Sequence, residues 1–152
     1  MNSKIENSWI PREYANVYND SKKRGLRCFF SDEIDLNTKE QVKKFINYLR
    51  KKYFFPIRCN IYFTNHIKYI NGNKEKCKGV FFEGDTNKTP SIYIPCKITK
   101  KYSIENIYLG IAYLLTYYFQ WYFYEDDKRT NRSLKIEATK HANYIVWNYL
   151  NI

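Results

Sequence analysis

The segment of residues 104–124 is apolar on nearly all sides when it is drawn as a helix, and this constrains the fold more than any other feature. Ser103 stands directly before it as an N-cap residue. Helical spacing relates its apolar side chains, which are Ile104, Ile107, Tyr108, Ile111, Leu115, Tyr118, Phe119 and Tyr122. Because a helix without a polar face must be covered on every side, we predict that it is the central buried helix.

Two further helices are predicted on either side of this segment in the chain. Thr38 at the N-cap and Gln41 at the third helical position have the form of a capping box, and the apolar stripe that they open ends before Pro56. Ser133 is predicted to cap a last helix. The apolar side of that helix carries Leu134, Ala138, Ala142, Ile145, Val146 and Tyr149.

Three short strands are predicted at residues 57–63, 77–83 and 91–95. Apolar side chains alternate with polar ones in the first of them, and turn residues separate all three. The order of elements predicts an α+β fold, in which a small three-stranded sheet packs on the long central helix and two further helices.

The N-terminal part of the chain differs from the rest. Residues 1–37 have weak periodicity and are predicted to be a short helical or irregular arm, whereas residues 38–152 form the folded domain. A length of 152 residues suits one compact domain overall. No apolar stretch approaches the roughly 20 residues of a membrane span, and the first ten residues lack the apolar region of a signal peptide. We therefore expect a cytoplasmic protein.

Cysteine spacing and charge limit the cofactors and partners. The four cysteines lie far apart, without the close pairing of a zinc knuckle or a redox motif, so we predict free structural thiols and no cofactor. They are Cys28, Cys59, Cys77 and Cys96. The net charge of +11 is compatible with nucleic-acid binding. However, the joint abundance of Lys, Asn, Ile, Tyr and Phe is also what an AT-rich coding sequence produces.

Two segments of the sequence carry a family resemblance. Residues 113–121 read Y-L-L-T-Y-Y-F-Q-W, where a zinc peptidase would have H-E-L-T-H-Y-F-Q-W, and residues 136–143 read I-E-A-T-K-H-A-N. Together they resemble the minimal gluzincins, including the ImmA/IrrE-type metallopeptidases, in which two helices hold the metal beneath a small sheet. The resemblance covers about residues 38–150, and it implies a zincin-like fold.

The same resemblance implies that the metal site is degenerate. Tyr113 and Tyr117 stand in place of the two histidines, Leu114 stands in place of the catalytic glutamate, and Glu137 matches the third ligand. Neutral phenols, with a pKa of about 10, are poor zinc ligands, and leucine cannot accept a proton from water. We predict an inactive pseudo-metallopeptidase, in which both phenols donate hydrogen bonds to the Glu137 carboxylate.

One other pair of residues could contribute to a metal site. Glu137 and His141 lie at positions i and i+4 of the last predicted helix, so they could share a metal ion or form a hydrogen-bonded pair. Zinc would require at least one more donor. A metalloenzyme with such an unconventional site is therefore kept as an alternative function.

A binding surface is predicted at the end of the central helix. Residues 117–124 contain too many aromatic side chains for one buried face, so we expect some of them to be exposed. Exposed Trp and Tyr suit a protein interface and also stack on unpaired bases. The candidate binding residues are Gln120, Trp121, Tyr122, Tyr124, Lys128, Arg129 and Arg132.

These features predict a catalytically inactive, zincin-like protein whose function is binding. The AT-rich composition, the small size and the resemblance to peptidases of mobile elements suggest a phage or mobile-element accessory protein. Such a protein would inhibit a host protein by direct binding, as an anti-CRISPR nuclease inhibitor does. The other alternative is a basic and aromatic protein that binds single-stranded nucleic acid. The sequence does not determine the oligomeric state.

Overall fold

The computed structural model describes residues 9–19, 21, 23–66, 69–70, 76–77, 79–123 and 130–152. The fold is α+β, as predicted. A 3-10 turn at Arg12–Tyr14 leads into the short helix α1 at Ala15–Tyr18. Three long helices follow in the chain, and these are α2 at Leu36–Lys52, α3 at Ile104–Phe123 and α4 at Asn131–Leu150. None of the described helices is both long and apolar enough to cross a membrane.

Four strands form the main sheet, and they are β1 at Leu26–Phe30, β2 at Cys59–Thr64, β5 at Val80–Phe82 and β6 at Ser91–Pro95. Their order is β1-β2-β6-β5. The first three strands in this order run parallel, and β5 is an antiparallel edge strand. Among the described strands, β3 at Tyr69–Ile70 and β4 at Lys76–Cys77 are short and pair only with each other. Because β1 and β2 are parallel, α2 provides the crossover between them.

The strand count differs from the prediction of three, because β1 lies inside the segment 1–37 that was predicted to be helical or irregular. Leu26 is buried, and burial along the strand alternates with the exposed Arg27 and Phe29. The strand has only five residues, and parallel pairing with β2 supplies its hydrogen bonds. The paired residues of β2 lie more than thirty positions away in the chain, so they leave little local signal at β1. Sequence periodicity therefore did not predict this strand.

Helix α3 is the central element, as predicted. It packs against α2 and α4 and against strands β5 and β6. Its buried side chains point in most directions around the helix axis, and they are Ile107, Tyr108, Ile111, Ala112, Leu114, Leu115, Thr116, Tyr118, Phe119 and Gln120.

Two helices begin earlier than predicted. The side chain of Asp35 caps α2 by accepting a hydrogen bond from the backbone N–H of Thr38, whose side chain is buried. In the same way Thr130 caps α4, and it accepts from the N–H of Ser133. In both cases a second oxygen-bearing residue lies three positions before the predicted cap, so the sequence pattern was compatible with either start.

Part of the N-terminal segment is built into the core. The Trp9 side chain is 2% exposed, and its Nε1 donates a hydrogen bond to Oγ1 of Thr116 at 3.0 Å. Its ring also contacts the rings of Tyr53 and Phe119, at centroid distances of 4.9 and 5.1 Å. Trp9 thus joins the N-terminal segment to the central helix.

The predicted structural thiols are confirmed for the three cysteines whose side chains are described. Cys59 and Cys96 are buried, Cys28 is half-buried, and all three are free. Burial raises the pKa of Cys28 to about 11 and that of Cys96 to about 12, and it raises the pKa of Cys59 further. These thiols are therefore protonated at neutral pH and unreactive.

Candidate functional site

A cleft of about 780 Å³ lies between strand β5 and helices α3 and α4. Tyr113, Leu114 and Tyr117 of α3 line it, so the three positions that the resemblance aligns with the histidines and the catalytic glutamate face a single cavity. Helix α4 contributes Leu134, Lys135, Thr139, Ala142 and Asn143 to the opposite wall. The spacing of i, i+1 and i+4 along one helix accounts for the grouping on α3.

The two tyrosines of the cleft bond to each other. Their hydroxyl oxygens are 3.0 Å apart, and their rings meet edge to face at a centroid distance of 5.1 Å. Burial, together with the hydrogen bond that it shares with Tyr113, raises the pKa of Tyr117 well above its ordinary value. Tyr117 is therefore neutral at physiological pH, and it does not supply the anionic oxygen that would favour a bound metal ion.

Glu137 does not join these phenols in the cluster that the sequence predicted. Its Oε1 instead accepts a hydrogen bond of 2.8 Å from Nε2 of Gln120, which also donates to the backbone oxygen of Leu134. Helical side chains lean toward the N-terminus of their helix, so the Tyr117 hydroxyl reaches back to Tyr113. Gln120 lies almost one turn further along α3, and it is Gln120 that meets the carboxylate.

His141 is a buried neutral imidazole. It is 2% exposed, and its Nε2 has no hydrogen-bond partner among the described residues. Burial lowers its pKa to about 4, although the nearby Glu137 carboxylate acts in the opposite direction. Among the described residues no group of three His, Cys, Asp or Glu side chains could hold a metal ion. In that part of the chain, the Glu137 and His141 pair therefore has no third ligand.

The candidate binding residues on α3 are more buried than predicted. Gln120 is buried, and none of the residues 117–123 is exposed. Trp121 packs against Phe81 of β5, and Tyr122 packs against Tyr18 of α1. Exposed aromatic side chains were expected here because the sequence pattern does not show that α1 and β5 cover the end of α3.

Of the remaining candidate binding residues, one is described by the structure and three are not. Arg132 lies in the first turn of α4 and is exposed. Tyr124, Lys128 and Arg129 lie outside the described residues.

Strand β5 contributes to the cleft in a way that the sequence analysis missed. Gly79, directly before this strand, has a φ of 131°. A Cβ atom there would lie 2.7 Å from the backbone oxygen of Tyr93 and 2.8 Å from Cδ1 of Leu114. Only glycine lets the backbone approach α3 so closely. Gly79 also interrupts the strand that was predicted at 77–83, which is the one local signal of this approach.

A row of aromatic rings also went unpredicted. It crosses the outer face of the sheet through Phe29, Tyr62, Tyr93 and Phe82, with successive centroid distances of 4.9, 4.8 and 5.7 Å. The terminal rings, Phe29 and Phe82, are 40% and 39% exposed. The alternation within β2 and β6 indicates this face, but the row becomes visible only when the register of the strands is known.

No protein-family model, curated protein or solved structure matches this chain. Its function is therefore inferred from the geometry of the cleft and of the exposed surfaces.

Proposed function

We propose that the protein is a catalytically inactive, zincin-like binding protein, and that its cleft receives an extended segment of a partner protein. The observation that supports this most directly is the position of the cleft beside β5, at the edge of the main sheet. Among the described strands, β5 pairs only with β6. An edge strand offers unpaired N–H and C=O groups, and an extended peptide can bond to them as an additional strand.

The lining of the cleft suits a peptide of mixed character, because it combines apolar and amide side chains with one acidic and one basic side chain. Leu109, Leu114 and Leu134 provide apolar contacts, whereas Asn106 and Asn143 provide amide donors and acceptors. The volume of about 780 Å³ lies within the range of typical ligand sites. Backbone bonds to β5 would give affinity, and the side-chain contacts would give specificity.

The residues at the former catalytic positions favour binding over catalysis. Leu114 has no group that could activate water, and the hydroxyls of Tyr113 and Tyr117 are engaged with each other. Two helices and a small sheet surround the cleft, which agrees with the arrangement that the resemblance to gluzincins implies. On this proposal the scaffold has kept a peptide-binding cleft and has lost the metal.

The biological setting that we favour is inhibition of a host protein by a phage or mobile-element accessory protein. Binding of a partner segment in the cleft would block a contact that the partner needs, as an anti-CRISPR nuclease inhibitor does. Small size and AT-rich composition support this setting. The protein would then act in the cytoplasm of the host.

A cleft-filling variant tests the proposal. Thr139 is exposed and lines the cleft, so Thr139→Trp should fill the cavity without disturbing the core. Lys44→Trp, on the exposed face of α2, adds the same side chain at a distance from the cleft. Nuclease-treated host lysate should yield the same stoichiometric partner with the unmodified protein and with Lys44→Trp, but not with Thr139→Trp. Equal recovery by all three proteins would contradict the proposal.

Single-stranded nucleic-acid binding is the second candidate, and the aromatic row on the sheet together with the charge of +11 favours it. The rings of Phe29, Tyr62 and Tyr93 are stacked on one another, so a base could stack on the exposed ring of Phe29 at the end of this stack. Fluorescence anisotropy with a labelled oligonucleotide should then show a steep loss of affinity with salt and a further loss in Phe29→Ala. Affinity that is unchanged in Phe29→Ala would argue against this use of the row.

A further inference from the structure

Helix α4 has a second apolar face, which is turned toward solvent. Trp147 is 65% exposed, and Ile136, Tyr144 and Leu150 are each between 45% and 48% exposed. At 100° per residue these four side chains fall on one side of the helix. The opposite side is buried, and it carries Ala138, His141, Ala142, Ile145 and Val146. A helix that is apolar on two opposite faces can cover both only with a second binding partner.

The exposed face is large enough to matter energetically. From Ile136 to Leu150 it extends roughly 21 Å along the helix axis, at a rise of about 1.5 Å per residue. Trp147 alone leaves about 160 Å² in contact with water, because a tryptophan side chain has roughly 250 Å² of surface. Lys140 is exposed on the same side of the helix, so the face is apolar with one basic group within it. Exposed apolar surface of a few hundred Å² usually marks an interaction site.

The charges of α4 favour one particular partner. All its ionisable groups other than tyrosine and the buried His141 lie in the N-terminal half, where Arg132, Lys135 and Lys140 outnumber the single acid, Glu137. Residues 142–152 carry no charged side chain. Two such helices packed in parallel would place like charges side by side. Packed antiparallel, the basic half of one helix faces the aromatic half of the other and the partial negative charge at its C-terminal end.

We propose that two copies of this chain form a symmetric dimer, in which the exposed faces of their α4 helices pack antiparallel about a two-fold axis near Tyr144. Ile136 then meets Leu150 of the second copy, and Lys140 meets Trp147, because each pair is spaced almost equally about the axis. The second of these contacts places an ammonium group over an indole ring, which is a favourable cation–π geometry. A two-fold interface requires a face that complements itself in this way.

The dimer goes beyond peptide binding in the cleft and does not depend on it. Trp147 and Leu150 do not line the cleft, whereas Asn143 lies between the cleft and the exposed face. One helix face from each copy makes an interface at the small end of specific protein contacts, so we expect weak association.

Sedimentation velocity at concentrations from about 1 to about 300 µM tests for the dimer. Trp147→Ala should weaken association at least tenfold, because a central aromatic side chain dominates such interfaces. Leu36→Ala is the matched control, since Leu36 is 71% exposed at the start of α2, and it should leave association unchanged. Circular dichroism will show that both variants are folded. A protein that is monomeric at every concentration, or equal association in both variants, would overturn the proposal.

Cysteine cross-linking tests the antiparallel arrangement. Tyr144, Ile136 and Leu150 have nearly the same exposure, so the three single cysteine substitutions are well matched. Under mild oxidation Tyr144→Cys should form a disulfide-linked dimer, because this position lies beside the two-fold axis. Ile136→Cys and Leu150→Cys should cross-link only when they are mixed. If Ile136→Cys links to itself and Tyr144→Cys does not, the antiparallel dimer is wrong.

Discussion

Replacing Thr116 by valine should destabilise the protein by about 2 kcal/mol, although the two side chains have the same shape. Thr116 is fully buried, and its hydroxyl accepts from Nε1 of Trp9 at 3.0 Å and donates to the Ala112 oxygen at 2.9 Å. Valine would leave the buried indole N–H without an acceptor, and such an unsatisfied donor costs roughly 1–3 kcal/mol. Loss of the bond to Ala112 should cost less, because a carbonyl within a helix also accepts a backbone N–H.

A double-mutant cycle isolates this hydrogen bond. Trp9→Phe removes the donor but keeps an aromatic ring beside Tyr53 and Phe119. When both Trp9 and Thr116 are replaced, no orphaned donor remains in the core. The double variant should therefore be more stable than the sum of the single effects predicts, by about 1–2 kcal/mol.

Urea unfolding followed by far-ultraviolet circular dichroism is the appropriate assay, because it does not depend on tryptophan fluorescence. Thr116→Ser is the control, since it keeps the hydroxyl and should retain the coupling with Trp9. If Thr116→Val costs less than about 0.5 kcal/mol, or if the two substitutions are additive, then Trp9 is not bonded to α3 in solution.

Three further predictions concern the cleft and its surroundings. Because the pKa of His141 is lowered from about 6.5 to about 4, the unfolded chain binds more protons between these pH values, and stability should fall as the pH drops through that window. The loss should be about 2 kcal/mol after allowance for screening, and chemical unfolding at several pH values should show a flatter profile for His141→Gln. Protein purified without a metal-affinity tag should contain less than about 0.1 zinc atom per chain by atomic emission. Stoichiometric zinc would instead support the alternative of a metal site on Glu137 and His141. Gly79→Ala should cost about 2 kcal/mol, and more than Gly25→Ala, since both glycines have positive φ but only Gly79 is crowded by Tyr93 and Leu114. Equal losses in thermal unfolding would show that backbone crowding at the cleft is unimportant.

The parts of the fold that follow from local periodicity could be predicted from the sequence. The apolar side chains of α3 identified the central helix, and the i, i+1 and i+4 spacing brought Tyr113, Leu114 and Tyr117 to one cleft. Strand β1 escaped prediction because its hydrogen bonds are made to β2. Strand β5 lies within the strand predicted at 77–83, but its close approach to α3 could not be predicted, since it depends on a single glycine whose backbone conformation the pattern does not reveal.

The same distinction explains the polar groups of the site. A phenol and a carboxylate on neighbouring helices were expected to bond because both positions matched one motif, but their separation along the helix axes is a tertiary property. Gln120 lies beside Glu137 in the packed pair of helices, whereas Tyr117 reaches its own neighbour, Tyr113. The motif therefore indicated which face of α3 lines the cleft, and the axial offset between α3 and α4 determined which side chains meet.

In helix α4, the apolar pattern alone does not distinguish a face that packs in the core from a face that is exposed. Its apolar positions occupy two opposite sides. The side that includes Ala138 and Ile145 was predicted to face the core, and the structure also places it there. The other side includes Trp147, and nothing in the local pattern says that it stays exposed. An indole that is 65% exposed on an ordered helix is stabilised when it is removed from water. A second copy of the same helix can cover it while keeping the basic groups apart, so the exposed face and the charge distribution point to one common arrangement.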